Sequence, residues 1–440
     1  MRGTRTHAAL AVTAAAALAL GISACAKSER GETSAKPDQL TFGTAGEPKV
    51  LDPALATDGE SFRIARQVFQ TLLKHKEGTA EIVGDLAESW QTSADGKTWT
   101  FKLKPNQKFH DGTPVDAEAV CFNYNRWYNW TGPMQNAAVS AYWQDTFGGF
   151  AKNENPDMPP SKYKGCTAPD PSTAVLEFVA PSSTLPGAFT LPSFSISSPT
   201  ALKAGDADKV SINGDTVTYP EYALTKAVGS GPYKLVKWDR TNKTTTLERF
   251  DDFPGDKAKI KTLIFKTISE ETARRQALEA GEIQGYDFVA PADVPMLKSK
   301  GFNVPTREAF NVLYLGIGQD NPQLAKLEVR QAIAHAINRE AIVKSKLPEG
   351  AKVADEFMPP SMDGYAPDVT KYEYNPDKAK ALLAKAGVPN LEVKFYYPTE
   401  VTRPYMPNPK DIFELIQADL QAVGIKVVPT AQKWAEYLDT

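Results

Sequence analysis

The chain has 440 residues, 42% of them hydrophobic, with 50 Lys and Arg against 53 Asp and Glu for a net charge of −3. A balance so near neutral gives no electrostatic footprint for nucleic acid. A chain of this length exceeds what one hydrophobic core serves, so two or more lobes are expected.

The N-terminus reads as an address. Arg2 and Arg5 precede an apolar run, Ala8 to Leu20, that is short for a membrane span and is followed by small residues, as in a secretory signal. Ile22-Ser23-Ala24-Cys25 has the form of a lipobox, with Ile22 where Leu is more usual. Residues 1–24 are then a lipoprotein signal peptide and Cys25 the lipidated first residue; a plain signal peptide with an incidental Cys is the alternative. A diacylglyceryl anchor has two chains, enough for stable attachment. Residues 25–37 are polar and read as a flexible tether. No later segment approaches the apolar length of a transmembrane helix.

Leu40 to Thr44 reads as a first strand, and after a loop Glu60 to Leu73 as a helix with Phe62, Ala65, Val68, Phe69 and Leu72 at helical spacing. Asp95-Gly96 suits a two-residue type I′ hairpin turn. Trp99, Phe101 and Leu103 alternate with polar residues, the period of a half-buried strand. Asp111-Gly112 makes another turn, and Val115 to Trp127 a helix with Asp116 as N-cap. Residues 132–161 show no clear period and read as a long functional loop or a cover for one lobe. Strands follow at Ser172 to Val179, Gly231 to Trp238, Thr244 to Glu248 and Lys261 to Thr267, then a helix from Ser269 to Glu279 stopped by Gly281. Beyond it the pattern becomes helix–strand alternation, the grammar of an α/β lobe. Leu327 to Ile337 is helical, and Asn375-Pro376 and Asn408-Pro409 each start a helix, with Asn as N-cap and Pro at the first helical position. Strands run from Leu391 to Tyr397 and from Ile425 to Val428.

With Cys25 lipidated, Cys121 and Cys166 remain. An even pair in an exported protein favours a disulfide. Closing a loop of about 46 residues stabilises by about 4 kcal/mol in the chain-entropy model. The alternative is two separate buried thiols.

Little here reads as an enzyme. His75, His110 and His335 lack metal-ligand spacing, and no CxxC, GxSxG or GxxxxGK[ST] occurs. His110 reads as structural, in its turn. Ser230, between two glycines, fits a turn where backbones approach closely better than a nucleophile. No metal or cofactor is implied.

The order LAESW, SADGKTWTFKL, KFHDGTPVDAEAV between Asp85 and Arg126 resembles the signature of the family 5 extracellular solute-binding proteins, the peptide-type binding proteins of bacterial ABC importers. GSGPYKL (229–235), VRQAIAHAINREAIV (329–343) and the helix at 375–387 resemble further blocks of that family, so the likeness runs from about Leu40 to the end. It implies a mixed α/β, two-lobe architecture of the periplasmic-binding-protein kind. Lobe 1 would span 38–268, with an inserted subdomain over about 75–200, and lobe 2 269–440, with the crossover near Thr267. The family continues beyond the helix that ends at Thr440, so lobe 2 is expected to lack its C-terminal part. Gly318 stands where members often have Asn.

The resemblance also implies a ligand and partners: a peptide, an ABC permease with its ATPase subunits, a membrane reached through the lipid anchor, no nucleic acid, and a monomer. A peptide offers an amine, a carboxylate and an extended backbone, and Arg suits the carboxylate through its planar fork. Arg403 in TRPYMPNP resembles the Arg that meets the ligand carboxylate in dipeptide-type members, with Tyr405 beside it. Trp434 resembles an aromatic that faces ligand side chains. Glu47, Asp58 and Gly59 resemble cleft-facing segments of lobe 1. The same fold also serves non-peptide solutes, including oligosaccharides, metal chelates, glutathione and haem.

Overall fold

The structure is a computed structural model that describes residues 38–214, 216–307, 309–362, 364–399 and 401–433, and Tyr437. The signal, Cys25, the tether and Trp434 lie outside the described residues.

The first sheet is built from distant parts of the chain. Strand β1 (Gln39–Thr44) leads into helix α1 (Gly59–Val68), whose N-cap Asp58 accepts from the amides of Glu60 and Ser61 at 3.1 and 2.9 Å. The helix stops at Val68, earlier than the apolar stripe predicts. Gln70 instead pairs with Ile196, and the buried Asp85 carboxylate accepts from the Gln70 side chain and the Thr71 amide. Phe69 and Leu72 are buried all the same, as extended chain.

A subdomain follows. Its elements are β2 (Leu73–His75), β3 (Ile82–Gly84), β4 (Ala87–Thr92), β5 (Thr98–Leu103), α2 (Ala117–Tyr128), α3 (Ala137–Phe147), β6 (Tyr163–Asp170), β7 (Thr173–Phe178), β8 (Ser211–Asn213) and β9 (Thr216–Thr218). Four of the strands form an antiparallel sheet in the order β4-β5-β7-β6. Trp99, Phe101 and Leu103 point inward as their alternation requires. The turn before them is not type I′. Of its residues only Gly96 has positive φ (70°), its amide bonds back to Ser93 O at 2.9 Å, and Asp95 Oδ1 accepts from Ser93 Oγ and the Lys97 amide. That is a four-residue turn closed by a left-handed Gly, a common hairpin alternative. Asp116 caps α2 as expected, through the Ala119 amide at 2.8 Å. Cys121 on α2 and Cys166 on β6 are joined in a disulfide, S–S 2.00 Å. Beside it the Asn125 side chain bonds both the amide and the carbonyl of Cys166.

The stretch 132–161 is not all loop. Asn136 caps α3, and Val139, Trp143 and Phe147, four residues apart, bury one side of it. The many polar and aromatic residues around that narrow stripe hide the period. The subdomain core also takes in Leu55, Phe62 and Ala223, so it reaches beyond 75–200.

The chain then completes the first sheet with β10 (Tyr233–Asp239), β11 (Thr244–Arg249), β12 (Thr262–Thr267), helix α4 (Glu271–Glu279) and β13 (Gly285–Tyr286). The order is β10-β11-β12-β1-β13, with β12 and β13 both parallel to β1. Joining parallel strands requires a crossover, and α4 supplies it. The elements α4 and β13 therefore belong with the first sheet, and the chain leaves it after Tyr286 rather than near Thr267. Here Arg274, 1% exposed, donates to the carbonyls of Ile268 and Ser269 at 2.7 Å.

Residues 302–307 and 309–318 carry no regular structure, yet Leu313, Leu315 and Ile317 alternate into the second core. That core is formed by α5 (Leu327–Ala336), α6 (Arg339–Lys346), α7 (Pro376–Lys385), β14 (Glu392–Thr399), α8 (Pro409–Ala422) and β15 (Lys426–Lys433). The two strands are parallel, and Asn375 and Asn408 cap α7 and α8 as their sequences predict. No helix among the described residues is long and apolar enough to cross a membrane.

Candidate functional site

Between the first sheet and the second core lies an open cleft of about 4590 Å³. One wall is α1, wedged between two cores. Ile64, Ala65 and Val68 pack toward the first sheet and Phe62 toward the subdomain. Gly59, Glu60, Arg63, Arg66 and Gln67 fall on the remaining side of the helical wheel and line the cleft. Arg63 is held twice, by Glu60 at 3.0 Å and by Asp287, the residue after β13. Burial alone would lower the Arg63 pKa, but the two carboxylates outweigh it and the net shift is upward. Burial raises that of Glu60 despite Arg63. The Arg63 cation also lies 5.5 Å from the centre of the Phe42 ring.

The opposite wall is the segment that resembles a carboxylate site. Arg403 and Met406 exchange backbone hydrogen bonds of 3.2 and 2.9 Å, closing a turn with Pro404 and Tyr405 at its centre. The fixed φ of Pro suits the second position of such a turn. Met406 is buried in the second core and anchors the loop, and Asn408 then caps α8. Arg403 and Tyr405 both line the cleft, and Arg403 Nη1 donates to Thr402 O at 3.1 Å. Burial holds the Tyr437 hydroxyl above its usual pKa, with Tyr314 and Tyr405 close enough to add to the shift.

The structure thus places Arg403 and Tyr405 on one wall and Asp58 and Gly59 on the other. Asp58 has a task of its own. Besides the cap, its second oxygen accepts from Ser61 Oγ at 2.6 Å, and that Oγ in turn accepts from the Lys49 and Val50 amides. Glu47 is not among the cleft-lining residues, although Gly46 and Lys49 on either side are. The sequence reading missed Glu60, Arg63, Arg66, Tyr142 and Asp287. The spacing of Glu60, Arg63 and Gln67 opposite the apolar side of α1 was the signal for the first of them. Asp287 carried none, because only the β12–α4–β13 crossover brings it to Arg63.

Several groups are structural. His110 Nε2 bonds Gly231 O at 2.9 Å with its ring against Phe250, and His335 Nδ1 lies 2.7 Å from Glu373 O. Ser230 is 1% exposed, so its hydroxyl is closed to a substrate. A Cβ on Gly231 would meet Gln67 O at 2.5 Å, which is the close backbone approach that its glycines suggest. Among the described residues no group of three His, Cys, Asp or Glu could hold a metal ion.

The profile of "Bacterial extracellular solute-binding proteins, family 5 Middle" matches residues 81–440. The chain is similar to the dipeptide-binding protein of Escherichia coli (strain K12), 29% identical over 96% of this chain and 76% of that one. It is similar to haem-binding protein A of Haemophilus influenzae, 28% identical over 96% and 77%. Among solved structures it resembles the periplasmic binding protein DppA of Helicobacter pylori in complex with the peptide STSA, with 27% identity and a TM-score of 0.70 over 91% of this chain and 75% of that chain. The mixed α/β fold is that of periplasmic binding proteins, and with the matched stretch covering most of its length the chain belongs to the bacterial extracellular solute-binding proteins of family 5.

Proposed function

We propose that this protein captures short peptides outside the cytoplasm and hands them to an ABC permease, whose ATPase subunits power uptake. The observation that carries this reading is the cleft, with Arg403 presented on a Pro-stiffened turn of one wall and α1 on the other. The relatives named for dipeptides or for di- and tripeptides support it. In this reading Arg403 takes the ligand carboxylate, and Tyr405 and Trp434 line its side chains. Asp58 and Gly59 shape the facing wall at the start of α1. Closing the lobes about segment 302–318 buries the ligand, and only the ligand's preference for the closed state drives closure. Lobe 1 runs from 38 through β13 and lobe 2 from there onward. Cys25 ties the protein to the membrane by lipid, the tether gives it reach, and it works as a monomer without chemical turnover.

Micromolar capture corresponds to about −8 kcal/mol. Arg403→Ala should weaken dipeptide binding by about 2–5 kcal/mol, the cost of leaving a buried carboxylate unpaired. Isothermal calorimetry with Ala-Ala measures it, and an unchanged affinity removes Arg403 from the site. A second reading, a haem-like or other non-peptide solute, rests on the similarity to haem-binding protein A. Native mass spectrometry of the purified protein, naming what co-purifies, separates the two.

A further inference from the structure

We propose that Tyr314 and Phe357 form an aromatic platform in the cleft that takes an aromatic side chain of the ligand. This deepens the peptide-binding reading above by naming what selects a side chain, and it does not depend on Arg403.

The two rings touch each other and little else covers them. Their centroids lie 5.0 Å apart at an interplanar angle of 60°, yet Tyr314 is 64% exposed and Phe357 66%. Both line the cleft. Leaving two contiguous rings open to water forgoes the gain of burying them, and apolar surface of this kind inside a groove marks a ligand site. The placement is not scattered. Among the exposed large apolar side chains of the described residues, Phe310 and Tyr396 line the cleft as well.

Each ring is held in place by its own segment. Leu313 and Leu315 turn into the second core, so Tyr314 between them faces the opposite way, into the cleft. Phe357 follows a stretch pinned to α6. There Arg339 Nη1 donates to Ala354 O at 2.7 Å, and Asp355 pairs with Arg339 at 3.7 Å and with Lys371 at 3.2 Å. Ser361 Oγ donates to Ala309 O at 3.2 Å and joins the two segments. The same contacts decide the chemistry of the occupant. Asp355 is matched by two cations, and Glu356 accepts from the Ala366 amide. With the carboxylates beside Phe357 engaged, the platform offers ring faces and edges rather than a charge. That suits a third ring, which can pack edge-to-face or offset against the pair.

Calorimetry of the full chain with Ala-Ala, Ala-Phe and Phe-Ala tests this. The tighter of the two Phe peptides should bind about tenfold more tightly than Ala-Ala, the yield of covering a ring that Ala lacks. That ratio should fall toward one in Tyr314→Ala and in Phe357→Ala, and Tyr314→Phe, which retains the ring, should keep it. Both side chains are exposed, so the variants should fold, which thermal melts check. No preference for Phe in the unaltered protein, a preference that survives either Ala substitution, or one lost in Tyr314→Phe overturns the proposal. An equal loss of affinity for all three peptides does so too, since it makes the pair a surface on which the lobes close rather than a side-chain site. If no dipeptide binds, the peptide reading fails, and saturation-transfer NMR with N-acetyl-phenylalaninamide decides on the platform alone. A signal lost in both Ala variants upholds it, and no signal, or one that either variant keeps, overturns it.

Discussion

The interior around α2 and the interior behind Arg403 are filled with different materials. In the subdomain Trp127, Trp143, Phe147, Tyr163 and Phe194 interlock, with ring centroids between 4.7 and 6.5 Å apart. A disulfide runs through this region, and the 5% exposed Arg126 side chain bonds Asp52 at 3.2 Å and Asp208 at 2.8 Å. In the second lobe the core is mostly aliphatic, with Val329, Ile333, Leu383, Ile416, Leu420 and Val427 around Phe413. Its elements are set by Asn caps and one parallel strand pair. Rings, charges and a covalent bond each demand one geometry, whereas aliphatic side chains tolerate repacking. The difference assigns the fixed wall to the first lobe and the adjustable one to the second, where the Arg403 turn sits.

The largest test of that contrast is Trp143→Ala. Truncating a buried Trp costs about 3–5 kcal/mol, and scanning calorimetry should show the loss in a subdomain transition while the second lobe melts as before. If both lobes shift together, they fold as one unit and the contrast fails.

A smaller effect is expected from pH at the junction of subdomain and first sheet. Burial lowers the His110 pKa from 6.5 to about 4, against the hydrogen bond to the Gly231 carbonyl. Above 6.5 the ring is neutral folded or unfolded, so the junction keeps its full strength. Between 6.5 and about 4 the unfolded chain takes up a proton that the folded one refuses, so stability falls as pH falls through that window. Denaturant melts of the native chain and of His110→Gln across this range should diverge, the variant showing the shallower decline; parallel curves would mean that the ring is free to ionise.

The smallest is Asn375→Ala. Losing this cap costs about 1 kcal/mol, confined to the second lobe. Urea melts monitored at the two lobes separately should find it there, and a loss seen equally in the subdomain would count against independent cores.

Most elements could be read along the chain, because their causes are local. Asp116, Asn375 and Asn408 cap the helices they precede, and Trp99, Phe101 and Leu103 bury the side their alternation assigns. The misreadings have both tertiary and local causes. Helix α1 ends early because Gln70 finds Ile196 and Asp85. Helix α3 hides in a polar, aromatic stretch because its stripe is narrow and a kink at Ser140 interrupts it. The Asp95-Gly96 pair marks a turn, but Ser93 decides which turn. The site divides the same way. Arg403 and Tyr405 sit in a short Pro-spaced run that stands out along the chain, while the partnership of Arg63 with Asp287 spans 224 positions and leaves no trace in either neighbourhood.

By itself the sequence determined the family, the helix starts and the strand faces, since caps, proline and alternation act over a few residues. Tertiary structure alone decided that β13 returns to β1, that α1 becomes a cleft wall between two cores, and that its Arg63 meets Asp287. Those outcomes depend on which distant surfaces find each other in three dimensions, and spacing along a chain does not encode that.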